Sequence, residues 1–111
     1  MAQEVYPLDL FNCSDCGHVQ LLDVVDPVLL FKDYVYVSGT SPVFVKHFEE
    51  YTTQILQDYA PAQGSLVVDI GSNDGTFLHF FKKVGMATLG IDPAIDIAAL
   101  ACERGIETWP H

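Results

Sequence analysis

At 111 residues, the chain is long enough for about one ordinary domain. Half of its residues are apolar, which predicts a packed core and excludes a disordered chain. No apolar run approaches the roughly 18 residues that cross a bilayer, and the first ten residues lack the pattern of a signal peptide. We therefore expect a cytoplasmic protein without a membrane partner.

The charge balance is strongly acidic. Five Lys and Arg stand against fifteen Asp and Glu, which gives a formal net charge of −10. Binding to a phosphate backbone needs clustered cations, and the only adjacent pair is Lys82 and Lys83. The composition therefore argues against a nucleic-acid partner. Three cysteines, an odd number, also argue against a disulfide framework.

The first predicted elements are two short strands and a short helix. Apolar and polar residues alternate in YPLDLFN and in HVQLLD, as in half-buried strands, and the turn CSDCG separates them. Asp26 and Pro27 then predict the start of a helix, with Asp at the cap and Pro at the first helical position. The segment VLLFKDY would form that helix.

The turn CSDCGH contains the close cysteine pair Cys13 and Cys16. C-x-x-C followed by Gly is typical of a zinc knuckle, in which two thiolates converge on the metal. A redox C-x-x-C would usually open a helix, whereas strand patterns flank this one. Zinc needs four ligands, and we interpret His18 as structural and Cys102 as a core thiol. The sequence thus predicts half of a zinc site, and it leaves open whether a metal is bound.

A longer helix is predicted next, beginning at Ser41 and Pro42. The apolar stripe behind this start consists of Phe44, Phe48, Tyr51, Ile55 and Tyr59. Its spacing predicts an amphipathic linking helix of about 17 residues. Pro61 and Gly64 would end it.

From residue 64 to residue 111, strand and helix patterns alternate. The predicted elements are a strand at 65–70, a helix at 76–84, a strand at 87–91, a helix after Pro93 and the start of a third strand at 106–108. The first strand is apolar except for Asp69, as in a central parallel strand that is covered on both faces. This order predicts an α/β fold with a right-handed, doubly wound parallel sheet, the first part of a Rossmann-like domain.

The loop DIGSNDG, residues 69–75, follows the first of these strands. Gly71 and Gly75 relieve steric limits where the chain folds sharply and a ligand approaches the backbone. The helix that begins near Asp74 would direct free N–H groups at that ligand. Asp92 ends the second strand, where a carboxylate can accept the protons of ribose hydroxyls. With Asp69, these residues predict a cofactor site.

The loop sequence favours one cofactor class over another. A dinucleotide site prefers G-x-G-x-x-G, in which pyrophosphate lies against bare backbone. Here Asn73 stands at the second glycine position, and Asp74 beside it is an anion that would repel pyrophosphate. The positive charges of S-adenosylmethionine suit such a site better. An ordinary strand-to-helix turn and a nicotinamide-dependent enzyme stay open as alternatives.

The segment YVYVSGTS, residues 34–41, precedes the linking helix. Tyr34 and Tyr36 share one face if the chain is extended, and the polar residues after them supply hydrogen-bond donors. Core aromatics and a helix cap explain the same pattern, and from the residues alone we favour that explanation.

Three segments, YPLDLFNCSDCGHVQLLDVV, FKDYVYVSGTSPVFVKHF and VVDIGSNDGTFLHFFKKVGMATLGIDPA, together resemble the sugar C-methyltransferases of deoxysugar biosynthesis. The resemblance implies an N-terminal zinc-binding domain, a class I S-adenosylmethionine-binding domain and a further C-terminal domain. It also implies methyl transfer to a ring carbon of a nucleotide-linked keto-sugar. A base would remove the proton beside the ketone, and the enolate would attack the sulfonium methyl.

The resemblance also implies roles for individual residues. Those that match the cofactor loop and the ribose acid are Asp69, Gly71, Ser72, Asn73, Gly75 and Asp92. The segment at 34–41 matches a motif near the cofactor and the sugar, so Ser38 and Gly39 are cofactor-site candidates and Tyr36 is a candidate catalytic residue. Cys13 and Cys16 match the second half of a four-cysteine zinc site.

The chain departs from this family at both ends, because the first C-x-x-C, the His base and the sugar-binding surface are not among its residues. We therefore expect an N-terminal fragment of a larger enzyme, without turnover of its own. Residues 1–40 would be a partial zinc ribbon, 41–63 the linking helix and 64–111 the first part of the cofactor domain. The alternative is a non-catalytic S-adenosylmethionine- or metal-binding module that assembles with another chain, for example through the unpaired sheet edge.

Overall fold

The computed structural model describes residues 5–31 and 36–110. The elements of these residues, in chain order, are β1 Leu10–Asn12, β2 Val19–Leu21, α1 Pro27–Phe31, a 3-10 turn Ser38–Thr40, α2 Pro42–Tyr59, β3 Leu66–Ile70, α3 Thr76–Lys83, β4 Ala87–Ile91, α4 Ile95–Glu103 and β5 Thr108–Trp109. They confirm the predicted order of strands and helices.

The N-terminal strands β1 and β2 form an antiparallel hairpin in which Leu10 lies opposite Leu21. After it, α1 begins at Pro27, and the Val28 N–H donates to Asp26 Oδ1 at 2.9 Å, as the predicted cap requires. The C-terminal part of this predicted helix, and Tyr34 with it, lies outside the described residues.

The linking helix α2 is 18 residues long and begins at Pro42, as predicted. The Phe44 N–H donates to the Ser41 hydroxyl at 3.5 Å, and Ala60 ends the helix in the left-handed conformation with φ 41°. Among the described helices, none is long and apolar enough to cross a membrane.

Aromatic rings attach α2 to α3. Phe77 of α3 lies 5.1 Å from the Phe48 ring and 5.7 Å from the Tyr51 ring, measured between ring centroids. The Phe77 ring also lies edge-on to Phe81 of the same helix, with a centroid distance of 5.2 Å. Offset and edge-on pairs of this kind add about 0.5–1.5 kcal/mol each to the burial of the rings. The predicted stripe of α2 therefore fixes this helix against the α/β unit.

The α/β unit is a parallel sheet in the order β3-β4-β5, with α3 and α4 as its crossovers. Leu78 of α3, Ala101 of α4 and Ile106 form a buried cluster, and Val67 of β3 packs against it. Because both helices share this cluster, they cover the same face of the sheet. The α/β class with a parallel sheet is confirmed.

The prediction that the first strand is central and covered on both faces is wrong for the described residues. β3 lies at an edge of the sheet, and Leu66, Val68 and Ile70 are exposed, Ile70 by 82%. These side chains alternate with Val67 and point away from the helices. An apolar run predicts a strand that suits burial, but it does not determine which other elements cover the strand.

Candidate functional site

A cavity opens where the carboxyl ends of β3 and β4 meet the segment before α2. Its volume is about 420 Å³, within the range of roughly 300–1,000 Å³ that is usual for small-ligand sites. The residues that line it are Phe31, Tyr36, Ser38, Ile70, Gly71, Asn73, Asp92, Pro93 and Ala94. Five of these, namely Tyr36, Ser38, Gly71, Asn73 and Asp92, are predicted site residues. Parallel α/β sheets bind their ligands at this end.

Asp92 lies immediately after β4 and holds two loops together. Its Oδ2 accepts the Asn73 N–H at 2.8 Å, and its Oδ1 accepts the Ala94 N–H at 2.9 Å. The side chain is buried, yet it forms part of the cavity wall. Since each carboxylate oxygen has two acceptor positions, Asp92 retains acceptor capacity for a ligand hydroxyl.

Asp69 lies one residue before the end of β3. Burial raises the pKa of its carboxyl above the usual value, and the neighbouring charge of Asp92 raises it further. The Asp69 carboxyl is therefore near enough to Asp92 for the charge of Asp92 to act on it. Asp69 itself is not among the residues that line the cavity.

The interpretation of Asp74 as an anion facing the cofactor is wrong. Its side chain is 0% exposed and forms an ion pair with Arg104 from the end of α4. Its other oxygen accepts the Thr76 hydroxyl at 2.7 Å and the Thr76 N–H at 3.3 Å. Asp74 is therefore bound within the chain at the start of α3, and it lies outside the cavity wall.

This arrangement changes the reason for excluding a dinucleotide. The expectation of free N–H groups at the start of α3 fails for the Thr76 N–H, because the carboxylate of Asp74 already accepts it. In a dinucleotide fold, pyrophosphate takes that position. At the start of α3, the carboxylate of Asp74 thus occupies the position that a pyrophosphate would take.

The segment at residues 36–40 is bound directly to the cofactor loop. The Ser38 N–H donates to Asn73 Oδ1 at 2.8 Å, and Asn73 Nδ2 donates to the Tyr36 carbonyl at 2.9 Å. A second attachment runs from the Gly39 N–H to Asp74 Oδ2 at 3.2 Å. Residues that are 35 positions apart in the chain are therefore held in one structure.

Gly39 has a steric role in this attachment. A Cβ atom at this position would lie 2.5 Å from Asp74 Oδ2 and 2.7 Å from Thr76 Oγ1, closer than real Cβ contacts allow. The close approach therefore requires glycine. Gly39 contacts the side chains at the start of α3 and is not part of the cavity wall, so its predicted cofactor contact remains a prediction.

The remaining loop residues have distinct positions. Gly71 and Gly75 both adopt left-handed backbone, with φ of 82° and 74°, as the predicted tight turn requires. Asn73 joins them at φ 51°. The Ser72 side chain is buried beside Gly90, away from the cavity wall, and its hydroxyl has no hydrogen-bond partner in the described part of the chain.

The donor set of the cavity fits S-adenosylmethionine better than a phosphate-bearing ligand. Among the described residues that line the cavity there is no Lys, Arg or His, and Asp92 contributes a carboxylate to the wall. A cationic amino acid group and ribose hydroxyls match carboxylates, while phosphates do not. We predicted from Asp74 that the site favours a cationic cofactor. That preference is now attributed to Asp69 and Asp92 instead.

The cysteine pair lies in the turn between β1 and β2. The Cys13 N–H donates to the His18 carbonyl at 2.8 Å, and the Gly17 N–H donates to the Cys13 carbonyl at 2.9 Å. Hydrogen bonds from the backbone N–H groups of Cys16 and Asp15 lower the pKa of the Cys13 thiol. Donors that stabilise a thiolate also suit a thiolate bound to zinc, so this turn fits half of a zinc site.

The described residues contain no group of three or more His, Cys, Asp or Glu side chains that could hold a metal ion. Cys102 belongs to α4, where its sulfur lies 3.5 Å from the Thr108 carbonyl. It is an exposed residue, which differs from the core thiol that we expected.

Sequence reasoning missed Arg104 and the apolar part of the cavity wall. Nothing near Arg104 in the sequence marks it, because its partner Asp74 lies 30 residues away. Phe31 was assigned only to a helix, yet it lines the cavity with Ile70 and Pro93. In the sequence, Ile70 and Pro93 could have been found only because they adjoin the predicted site residues Gly71 and Asp92.

The fold and the site define an α/β unit with a cavity at the carboxyl ends of its strands, joined to a cysteine knuckle. Comparison with known proteins gives one match for the knuckle and one along nearly the entire chain. Residues 1–31 match the model of a family described as "Putative zinc binding domain". The chain is 33% identical to the C-methyltransferase NovU of Streptomyces niveus over 108 residues, which cover 97% of this chain and 26% of NovU. The resemblance to C-methyltransferases is thereby confirmed, and the chain spans about a quarter of the length of this relative.

Two solved structures are also similar. One is an S-adenosylmethionine-dependent methyltransferase from Archaeoglobus fulgidus, with 27% identity, a TM-score of 0.41, and coverage of 62% of this chain and 33% of that one. The other is the plantazolicin methyltransferase BpumL in complex with S-adenosylhomocysteine, with 24% identity, a TM-score of 0.41, and coverage of 55% and 24%. At this TM-score, neither likeness supports a conclusion about fold or function.

Proposed function

We propose that the chain forms the zinc-binding and first cofactor-binding part of an S-adenosylmethionine-dependent C-methyltransferase. The observation that carries the proposal is the cavity at the ends of β3 and β4, where Asp92 forms part of the wall and no basic side chain is among the described lining residues. The match to NovU along 97% of the chain supports the same reaction class. The methyl transfer itself belongs to the whole protein.

The residues of the chain have separate tasks in this proposal. Bound S-adenosylmethionine would supply an electrophilic methyl group on its sulfonium. Asp92 would accept the ribose hydroxyls with its remaining lone pairs, and Asp69 would favour the cationic amino acid part. Gly71 and Asn73 would leave room for the cofactor at the turn, and Tyr36 is the candidate for a contact with the reacting sugar.

The substrate class is the finer part of the proposal. We expect a nucleotide-linked keto-deoxysugar, as the sequence resemblance implies, and a cytoplasmic site of action. Incubation of the 111-residue chain with methyl-labelled S-adenosylmethionine and several nucleotide-linked keto-deoxysugars tests this part. We expect cofactor binding without label transfer. Transfer to a sugar carbon would establish the substrate class and contradict our expectation that this chain alone lacks turnover.

Calorimetric titration with S-adenosylmethionine tests the cofactor site. Asp92→Asn should weaken binding about tenfold or more, equivalent to about 1.4 kcal/mol, because one anionic acceptor is lost. Asp96→Asn, on the exposed first turn of α4, is the matched control and should bind like the unmodified chain. Urea unfolding of each variant checks that the fold is retained.

Two outcomes would contradict the assignment. Equal binding by the Asp92→Asn variant and the unmodified chain would remove Asp92 from its role. Saturable binding of NADH, without binding of S-adenosylmethionine, would favour a nicotinamide-dependent enzyme instead.

A second candidate function is a non-catalytic module that assembles with another chain. The exposed apolar side chains of Leu66, Val68 and Ile70 on the edge strand β3 favour it. A defined complex with another protein, together with S-adenosylmethionine binding that stays the same in Asp92→Asn, would support this candidate over the first.

A further inference from the structure

A second cavity lies beside the ion pair of Asp74 and Arg104. Its volume is about 310 Å³, near the lower end of the range for small-ligand sites. Its walls come from α2, from the first half of α3 and from the segment after α4. None of the described residues in these walls also lines the cavity at the ends of β3 and β4. The Arg104 cavity, as we call it, is therefore a separate space with its own chemistry.

The Asp74 carboxylate has no acceptor position left for a ligand in the Arg104 cavity. Its Oδ1 accepts the Thr76 hydroxyl and N–H, and its Oδ2 accepts the Gly39 N–H and pairs with Arg104. A carboxylate has about four acceptor positions, so these four donors occupy all of them. Asp92 differs, because the donors that the described residues supply to it are two backbone N–H groups. The negative charge of Asp74 is thus neutralised and saturated within the chain.

Arg104 retains hydrogen-bond donors at the same cavity. A guanidinium has N–H groups on three nitrogens, and within the described residues one of these nitrogens, Nη1, donates to Asp74. The Arg104 side chain is 48% exposed, so its remaining N–H groups are accessible to a ligand. His79, an exposed residue of α3 that also lines the cavity, can add an imidazole N–H. Since the polar side of the cavity offers donors, its ligand must supply the acceptor.

The rest of the Arg104 cavity has an apolar wall. Val45 of α2, Phe80 of α3 and Ile106 after α4 supply it. Ile106 belongs to the buried cluster that joins the helices to the sheet, so this part of the wall is held rigidly. An apolar group placed against these side chains is removed from water, which favours binding. The cavity therefore fits a small molecule that combines an anionic acceptor with an apolar body.

We propose that the Arg104 cavity binds a small organic carboxylate, with the carboxylate on Arg104 and the apolar body against Val45, Phe80 and Ile106. Arg104 then binds two carboxylates, that of Asp74 and that of the ligand, because the donors of its planar guanidinium point in different directions. A single negative charge suits this position better than the double charge of a phosphate, since Asp74 lies beside it. The proposal is independent of the methyltransferase assignment, because no residue of the other cavity takes part.

Nuclear magnetic resonance of the isotopically nitrogen-labelled chain tests the proposal. Arg104 is the only arginine of the chain, so its side-chain Nε–H gives a single, unambiguous resonance. Titration with phenylacetate should shift this resonance in a saturable way. Phenylacetamide has a similar shape without the charge and should bind about tenfold more weakly, because a neutral hydrogen bond replaces a charge-assisted one. Acetate should also bind more weakly, because it leaves the apolar wall uncovered.

Two variants test the position of the ligand. His79→Ala should weaken phenylacetate binding, while His47→Ala, an exposed His of α2 that does not line this cavity, is the matched control and should bind like the unmodified chain. Arg104→Met should bind phenylacetate and phenylacetamide equally, as followed through the backbone N–H resonance of Thr76. Because His79 is exposed, we expect its variant to fold even if Arg104→Met does not.

Several results would overturn the proposal. Absence of a saturable shift of the Arg104 resonance would show that the cavity does not bind this class of ligand. Equal affinities of the unmodified chain for phenylacetate and phenylacetamide would exclude an anion site, and equal affinities for phenylacetate and acetate would exclude the apolar contact. Unchanged phenylacetate binding by His79→Ala, or a preference for the acid that persists in Arg104→Met, would place the ligand outside this cavity.

Discussion

The N-terminal hairpin and the α/β unit hold their shapes by different means. The hairpin buries none of its strand residues, and its turn is defined by local hydrogen bonds around Cys13. The α/β unit has a buried cluster of Leu78, Ala101 and Ile106 that joins two helices to the sheet. We therefore expect the second region to carry most of the stability of the chain.

The segment between them connects the two. Residues 36–40 hydrogen-bond to Asn73 and Asp74, and Tyr36 and Ser38 form part of the wall of the cavity at the ends of β3 and β4. Cofactor binding should therefore depend on this docked segment and on the α/β unit, but not on the cysteine knuckle. The predictions below test that division.

The largest expected effect is a difference between two leucine substitutions. Leu78→Ala removes a side chain that is 0% exposed and should cost about 2–5 kcal/mol of unfolding free energy. The matched Leu10→Ala in the hairpin should cost less than about 0.5 kcal/mol in the metal-free chain. Urea unfolding followed by fluorescence of Trp109, the single tryptophan, measures both. Similar costs would contradict the division between the two regions.

The next effect concerns the ion pair between Asp74 and Arg104. Arg104→Met leaves the buried Asp74 carboxylate without its cation, and breaking a buried pair costs about 3–5 kcal/mol. Since the Arg104 side chain is 48% exposed and water can partly replace it, we expect about 1–3 kcal/mol. The loss should also loosen residues 36–40 and weaken S-adenosylmethionine binding, measured by calorimetry.

Two comparisons sharpen this prediction. Lys46→Met breaks an exposed pair with Glu50 and should cost less than about 0.5 kcal/mol. In an Asp74→Asn background, Arg104→Met should cost much less than in the unmodified chain, because no buried charge is left behind. An unchanged cost in that background would show that Arg104 stabilises the fold by packing alone.

Sequence patterns predicted most of the elements because the information is local. Ser41 and Pro42 marked the start of α2, and the glycine spacing marked the turn after β3. The role of Asp74 was not predictable in this way, because its charge is neutralised by a residue 30 positions later. The apolar run of β3 indicated a strand suited to burial, but covering a strand is a property of other elements. Local sequence patterns thus predicted the strands and helices, but they did not predict which distant residues contact each other.

A smaller effect is expected at Asp69. Its raised pKa means that the folded chain holds this proton more tightly than the unfolded chain does. Stability is therefore lost as the pH rises from the ordinary value of 3.8 through the raised pKa, and it stays lost at neutral pH. Asp69→Asn removes the charge, so it should raise the urea midpoint slightly at pH 7 and leave it unchanged at pH 3.

The same substitution should weaken S-adenosylmethionine binding, because the cationic part of the cofactor loses an anion. A substitution that raises the stability of the fold and lowers the affinity for S-adenosylmethionine indicates that the carboxylate serves ligand binding rather than folding. Asp96→Asn, on the surface of α4, is the control for both measurements. A lower urea midpoint in Asp69→Asn at pH 7 would mean that the carboxylate supports the fold.

The smallest expected effect tests the division from the side of the hairpin. Cys13→Ser with Cys16→Ser removes the metal ligands, yet the Trp109 unfolding midpoint and the affinity for S-adenosylmethionine should stay unchanged. The reason is that the hydrogen bonds of the knuckle close within the turn and that no strand residue of the hairpin is buried. Only the metal-dependent signals should disappear. If the unfolding free energy measured through Trp109 fell by more than about 0.5 kcal/mol, as for a substitution that disturbs the core, the hairpin would be coupled to the sheet. The zinc site would then act on the cofactor cavity through residues 36–40 rather than beside it.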